Sequence, residues 1–226
     1  MVSGEAATGF DPAELQRPLP RGQHKLPREA VVANQLARLL WATALEIDER
    51  GYSAVSVADI TARARVSRLT FYELFDNKLD CVLAAQRAAL GRLRELIARA
   101  YEAEPSWGEG VAAALVAVLG FAAAAPEEAN LLRISTTGAG EPELAARGRA
   151  ALGELEAAMR TSRGEPDSSE LALREQAAIG GTAAVIGAKL LAGETEFGPE
   201  LREELIRLIL APYLGEEEAK KIAAAA

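Results

Sequence analysis

The sequence predicts an all-α protein: an amino-terminal three-helix unit of helix-turn-helix type followed by a carboxy-terminal helical bundle. Three observations carry the all-α expectation, and the turn chemistry of residues 56–78 carries the helix-turn-helix. Half of the 226 residues are hydrophobic but only 5% are aromatic; alanine and leucine dominate, and both lose little side-chain freedom in a helix. No stretch alternates β-branched with polar residues as a half-buried strand would. Beyond the first hundred residues, Pro105, Pro126, Gly138 and Gly140 with Pro142, Gly164 to Pro166, Gly193 and Gly198-Pro199 divide the chain into segments of helical length.

Taken in order, residues 1–26 carry Pro12, Pro18 and Pro20, several glycines and no periodicity, and read as a flexible basic arm. Residues 27–78 form the next unit. Pro27 suits a first helical turn, where its missing N–H is harmless. The helix after it places Val32, Leu36, Leu39, Leu40, Ala44 and Ile47 on one face and stops near Gly51. Ser56 and Asp59 form an acidic variant of the capping box. They open a second helix over 57–64, with Val57, Ile60 and Ala64 facing inward. Arg65-Val66 makes a turn, and Ser67 caps a third helix over 68–74. A fourth helix starts near Asn77 and runs towards Tyr101. Residues 79–215 form a helical domain, with further helices at about 106–125, 127–135, 141–163, 168–192 and 199–213. Residues 216–226 read as a tail of frayed helix or disorder.

The formal net charge is −8, which by itself argues against a nucleic-acid partner, because phosphate binding needs lysine and arginine. The distribution reverses the inference. Arg17, Arg21, Lys25 and Arg28 follow one another with no acid between them, and Arg63, Arg65, Arg68 and Lys78 face only Glu73 and Asp76. Past Lys78 the chain is mainly acidic, so a basic head orients an acidic body. Cys81 is the one cysteine and His24 the one histidine, which excludes an internal disulfide and a metal cluster of such residues; neither metal nor cofactor is expected. No basic segment followed by an apolar run opens the chain, and the apolar run 111–125 falls short of the roughly 20 residues of a membrane span. The expectation is a soluble, cytoplasmic protein with no membrane partner.

A helix-turn-helix needs a support helix, a sharp turn and a recognition helix whose first side chains reach base edges. Residues 57–64, 65–66 and 68–74 supply these in sequence. Phe71 and Phe75, four apart, face the core; Arg68, Leu69 and Tyr72 lie opposite, with Thr70 beside them. With Gly51-Tyr52, Ser56-Val57-Ala58-Asp59-Ile60, Val66-Ser67, Thr70-Phe71-Tyr72-Glu73-Leu74-Phe75 and Lys78 in place, residues from about 29 to 90 resemble the DNA-binding domain of the TetR family of transcriptional regulators. The resemblance covers about the first third of the chain. It implies that Ser56 and Ser67 cap helices and offer groups to phosphates. Arg68 reads a base, since a guanidinium can bond a guanine edge bidentately, with Leu69 beside it. Thr70 touches a thymine methyl or a phosphate, and Tyr72 and Lys78 bond phosphates. Arg28 anchors the start of the first helix, and Arg21, His24 and Lys25 reach phosphates or a neighbouring minor groove. One departure stands out. The family commonly has glycine where this chain has Arg65, and a Cβ costs roughly 1 kcal/mol in a left-handed turn. Either the turn is strained or Arg65 gains a phosphate contact.

The resemblance further implies that the remaining helices sense a small-molecule effector and form a homodimer, released from a palindromic operator as a repressor would be. The small residues from Ala177 to Gly187 on helix 168–192 permit close helix approach. Leu201, Leu205, Leu208 and Ile209 line one side of helix 199–213. These faces pair across a two-fold axis or pack within the chain. Trp107, Phe121, Leu132, Arg133, Met159 and Gln176 are the candidates to line an effector pocket. Readings from other classes fare worse. An enzyme lacks the histidine and cysteine for a triad, any glycine-rich phosphate loop, and the Glu-x-x-His pairs of a di-metal bundle. A helical interaction scaffold would keep the bundle but lose no partner affinity on Tyr72→Phe with Lys78→Ala, whereas an operator binder should weaken markedly.

Overall fold

The structure, a computed structural model, describes residues 27–137, 141–163 and 169–226, which contain ten α-helices, one 3-10 turn and no strand. The expected arm at 1–26, and with it Arg21, His24 and Lys25, lies outside the described residues. The chain divides into two compact units, one ending at Ala88 and the other beginning at Ala89.

The first unit holds α1 (Arg28–Arg50), a 3-10 turn (Tyr52–Ala54), α2 (Val57–Ala64), α3 (Arg68–Leu74) and the first turns of α4 (Lys78–Glu102). Each boundary has a local cause. Gly51 ends α1 in a backbone region with φ +76°, its N–H closing on the carbonyl of Ile47 at 2.8 Å; glycine takes that conformation without steric cost. Ser56 and Asp59 form the full capping box at the start of α2, and the Ser67 hydroxyl accepts the Thr70 N–H at 3.0 Å at the start of α3. Leu39, Ala42, Ile47, Ile60, Phe71 and Val82 are the centre of the core. Of the face expected on α1, Leu39, Ala44 and Ile47 are buried, but Val32 is exposed, so the buried part begins only near Ala37. Thr43 is inside with them; its hydroxyl satisfies itself on the Leu39 carbonyl at 2.8 Å and lies 3.2 Å from Cys81 Sγ.

The second unit holds the rest of α4, then α5 (Trp107–Ala124), α6 (Pro126–Thr137), α7 (Pro142–Arg163), α8 (Ser169–Leu191), α9 (Pro199–Leu214) and α10 (Glu216–Ala225). Helix α6 packs on α7 and α8, and α9 packs on α5, α8 and α10. Leu115, Leu119, Phe121, Ile179, Ile186, Leu205, Ile206 and Leu210 fill the core. By length and composition α5 is apolar enough to cross a membrane, yet its Leu115, Leu119, Phe121 and Ala122 are buried within this core. The last segment of the chain is a complete helix, α10, with Ala219 and Ala223 buried. It approaches α5 closely because Gly108 has no side chain: a Cβ there would lie 2.8 Å from both Ile222 Cδ1 and Leu214 Cδ1. Apolar residues at i and i+4 on a short, otherwise charged helix are a faint signal, which is why the segment reads as frayed from sequence alone.

Candidate nucleic-acid interface

Helix α3 presents one face outward. Phe71 is fully buried and Phe75 nearly so, their rings 5.4 Å apart, so the helix is seated by its aromatic side. On the other side Arg68 is exposed, Leu69 is 73% exposed and Tyr72 57%. Tyr72 stands edge-on to Phe71 at 5.4 Å and 84°, which fixes its ring while its hydroxyl stays in solvent. Arg68 makes no hydrogen bond or ion pair within the described residues. Thr70 is half-buried, its hydroxyl 3.0 Å from that of Ser67. An exposed leucine and an unpaired arginine on a capped, rigidly seated helix leave apolar and cationic surface without use inside the fold. Base edges, thymine methyls and phosphates would use it.

Other candidates are already engaged. The Ser56 amide and hydroxyl both donate to Asp59 Oδ2, at 2.9 and 2.5 Å, so its groups serve the capping box. Asp59 is held well below the ordinary carboxylate range by Ser56 first and by Arg50 next. Lys78 Nζ donates to the carbonyls of Tyr52 and Val55, each at 2.9 Å, and lies 4.0 Å from the Tyr52 ring centre. An ammonium has three N–H groups, so one is left beyond these two carbonyls. Arg28 is exposed at the first turn of α1.

The basic cluster read from the sequence is also smaller in space. Arg63 turns inward to buried Glu46, Nε to Oε1 at 2.5 Å, and to Glu49 through both terminal nitrogens. Arg50 joins the same network through Glu46 and Asp59, at 3.2 and 2.9 Å. These pairs fasten α2 to α1; the free positive charge along the turn and α3 is Arg65 and Arg68. Arg65 does take the left-handed conformation, φ 52° and ψ 44°, and its side chain is exposed. Sequence reasoning missed Arg38: its Nη2 donates to the Ala64 carbonyl and, at 2.7 Å, to the Arg65 carbonyl. No local pattern marks it, because it precedes the turn by more than 25 residues.

In the second unit the candidate pocket residues differ in burial and partners. Phe121 and Met159 are buried in the core, and Trp107 and Leu132 pack against it. Trp107 Nε1 donates to Ser162 Oγ at 3.1 Å, and its ring meets Tyr213 edge-on at 5.5 Å. Arg133 Nε donates to Asn130 Oδ1 at 2.9 Å, and the stem of Arg133 lies over Gly187. Gln176 is exposed, because its position on α8 turns it away from buried Glu175 and Ala178. Of the α9 face, Leu205 and Ile209 are buried in their own chain's core, Leu201 is half-buried, and only Leu208 is exposed.

Residues 39–85 match the family model described as bacterial regulatory proteins, tetR family. Among solved structures, the fold is similar to a TetR-like transcriptional regulator from Rhodococcus sp. RHA1, with TM-score 0.69 and 21% identity over 84% of this chain and 100% of that one. It is also similar to the fatty acid degradation regulator FadR from Bacillus halodurans, with TM-score 0.66 and 20% identity over 85% and 99% of the two chains. A third likeness is to the transcriptional regulator FadR from Bacillus subtilis in complex with stearoyl-CoA, with TM-score 0.62 and 18% identity over 79% and 98%. A search of curated proteins gave no match.

Proposed function

We infer that this chain, which carries a tetR-family DNA-binding domain over residues 39–85 and the fold of TetR-type regulators, is a DNA-binding transcriptional regulator. The observation that carries the reading is the outward face of α3: Arg68, Leu69 and Tyr72 exposed on a helix whose opposite side is locked by Phe71 and Phe75. Arg68 is the base reader. Leu69 and Thr70 supply apolar and hydroxyl contact to neighbouring edges. Tyr72, the capping end at Ser67, and the remaining Lys78 donor take phosphates, with Arg28 and Arg65 flanking them. The residues of the arm, Arg21, His24 and Lys25, add phosphate or minor-groove contacts.

We further propose a cytoplasmic homodimeric repressor. Two copies place two recognition helices in successive grooves, about one turn apart, of a palindromic operator. Helix α8 supports the dimer: Leu173 and Leu191 are about two-thirds exposed, Val185 is exposed between them, and among the described residues a Cβ on Gly180 or Gly181 would meet nothing within 4 Å beyond its own helix backbone. Leu208 of α9 adds one more exposed apolar side chain. That apolar face favours a second copy as its cover. A small-molecule effector held by the second unit, among Trp107, Phe121, Leu132 and Met159, would favour a state whose recognition helices no longer match the groove spacing. The Bacillus subtilis neighbour's complex with stearoyl-CoA makes long-chain acyl compounds the first effectors to try.

The test is selection of duplexes from a random-sequence pool by the full chain, followed by salt titration of the best binder. A palindrome bound with an affinity that falls linearly in log salt is expected. Recovery of no sequence above background, or binding indifferent to salt, overturns the reading.

A further inference from the structure

We propose that Arg38 is a positioning residue for DNA reading: its guanidinium holds the left-handed turn at Arg65 and so sets where α3 begins. The inference rests on the DNA-binding reading above and adds to it a residue on α1 that touches no DNA.

Arg65 is the one non-glycine residue with positive φ among the described residues. In that region a Cβ crowds the following carbonyl, and the backbone keeps the conformation only where its surroundings hold it. The N–H groups of the turn are satisfied locally, Arg65 N–H on the Ala62 carbonyl at 3.2 Å and Val66 N–H on the Thr61 carbonyl at 3.1 Å. The last carbonyls of a helix have no partner within it, and those of Ala64 and Arg65 are the pair that Arg38 Nη2 takes. A cation there also complements the carboxy-terminal end of the α2 dipole. Burial, and next the like charge of Arg65, weigh against the charged form of Arg38, and the two carbonyls are the acceptors that offset this. Only Val66 and Ser67 lie between the clamped Arg65 and Arg68, and Ser67 starts the α3 cap. A change in the Arg65 torsions is therefore passed to the start of α3, where Arg68 stands one residue past the Ser67 cap.

In this account arginine at 38 and a non-glycine residue at 65 are coupled, since glycine takes the left-handed conformation unaided. The experiment is a double-mutant cycle of Arg38→Met, which keeps the aliphatic stem, and Arg65→Gly. Affinity is read on the duplex selected by the wild-type chain, at a temperature where circular dichroism shows all four proteins folded. Alongside it, amide hydrogen exchange is measured at Arg65, Val66 and Ser67, or at the glycine replacing Arg65. Arg38→Met alone should weaken binding about tenfold and speed exchange in the turn. In the Arg65→Gly background the same change should cost under about twofold, with exchange in the turn unaltered. An equal loss in both backgrounds, or no loss in either, overturns the proposal, because a general packing role for Arg38 predicts the first and no role predicts the second. If the wild-type chain selects no DNA, the functional reading fails, while the exchange cycle still shows whether Arg38 holds the turn.

Discussion

Individual residues divide the first unit into groups that hold the fold and groups that face outward. Ser67 does the former for α3: its hydroxyl accepts the Thr70 N–H at 3.0 Å. Ser67→Ala should cost about 1 kcal/mol in urea unfolding, within the range for lost caps. Cys81 is an inert case. It is fully buried, and burial pushes its thiol up to about 12, against a smaller opposing effect of the Thr43 hydroxyl. The folded chain keeps a proton that the unfolded chain releases from the ordinary value of 9.0 upward. The resulting stability is therefore complete below pH 9 and is lost as pH rises towards 12. Two outcomes are expected: no alkylation of the native protein at pH 8, and a flatter alkaline stability profile for Cys81→Ala, measured by chemical denaturation. Rapid native-state alkylation would contradict the burial.

Secondary-structure elements show how far the sequence could be read and where reading stopped. Helices α2 and α3 are legible to the residue because capping is local: Ser56 with Asp59 and Ser67 with Thr70 are three apart, and side chains at that spacing meet the same backbone groups wherever they occur. The left-handed turn at Arg65 is legible only through the family resemblance, in which glycine commonly stands there, since arginine itself gives no local sign of a positive φ. Arg38 and the inward turn of Arg63 onto Glu46 and Glu49 are not, since both depend on where α1 crosses α2. The α9 face fails similarly: periodicity shows that Leu205, Leu208 and Ile209 share a side but not which element covers it. Helix α8 offers the element-scale test. Among the described residues nothing beyond its own helix backbone lies within 4 Å of a Cβ on Gly180, so Gly180→Ala should raise the stability of the isolated chain by about 0.8–1 kcal/mol through helix propensity. If that face seats a second copy, the same change should weaken the dimer in sedimentation equilibrium. An unaltered dimer would place the interface elsewhere.

At the scale of the whole molecule, a net charge of −8 is compatible with the proposed DNA-facing surface because the acidic residues are mainly past Lys78 in the chain. Among the described residues, the cationic groups of α3 and its turn left without a protein acceptor are few, Arg65 and Arg68 with one donor of Lys78, once Arg50 and Arg63 pair with carboxylates and Arg38 donates to carbonyls. A sparse cationic surface gives weak non-specific affinity and leaves discrimination to the few side chains that reach bases. Arg68 is the centre of that claim. The most direct measurement is the affinity of the wild-type chain and of Arg68→Ala for the selected duplex and for its single-base variants. The account predicts that Arg68→Ala removes discrimination of about 1–3 kcal/mol at one base pair of each half-site and leaves the preferences at other positions intact. Uniform weakening across every sequence, with all preferences preserved, would contradict it.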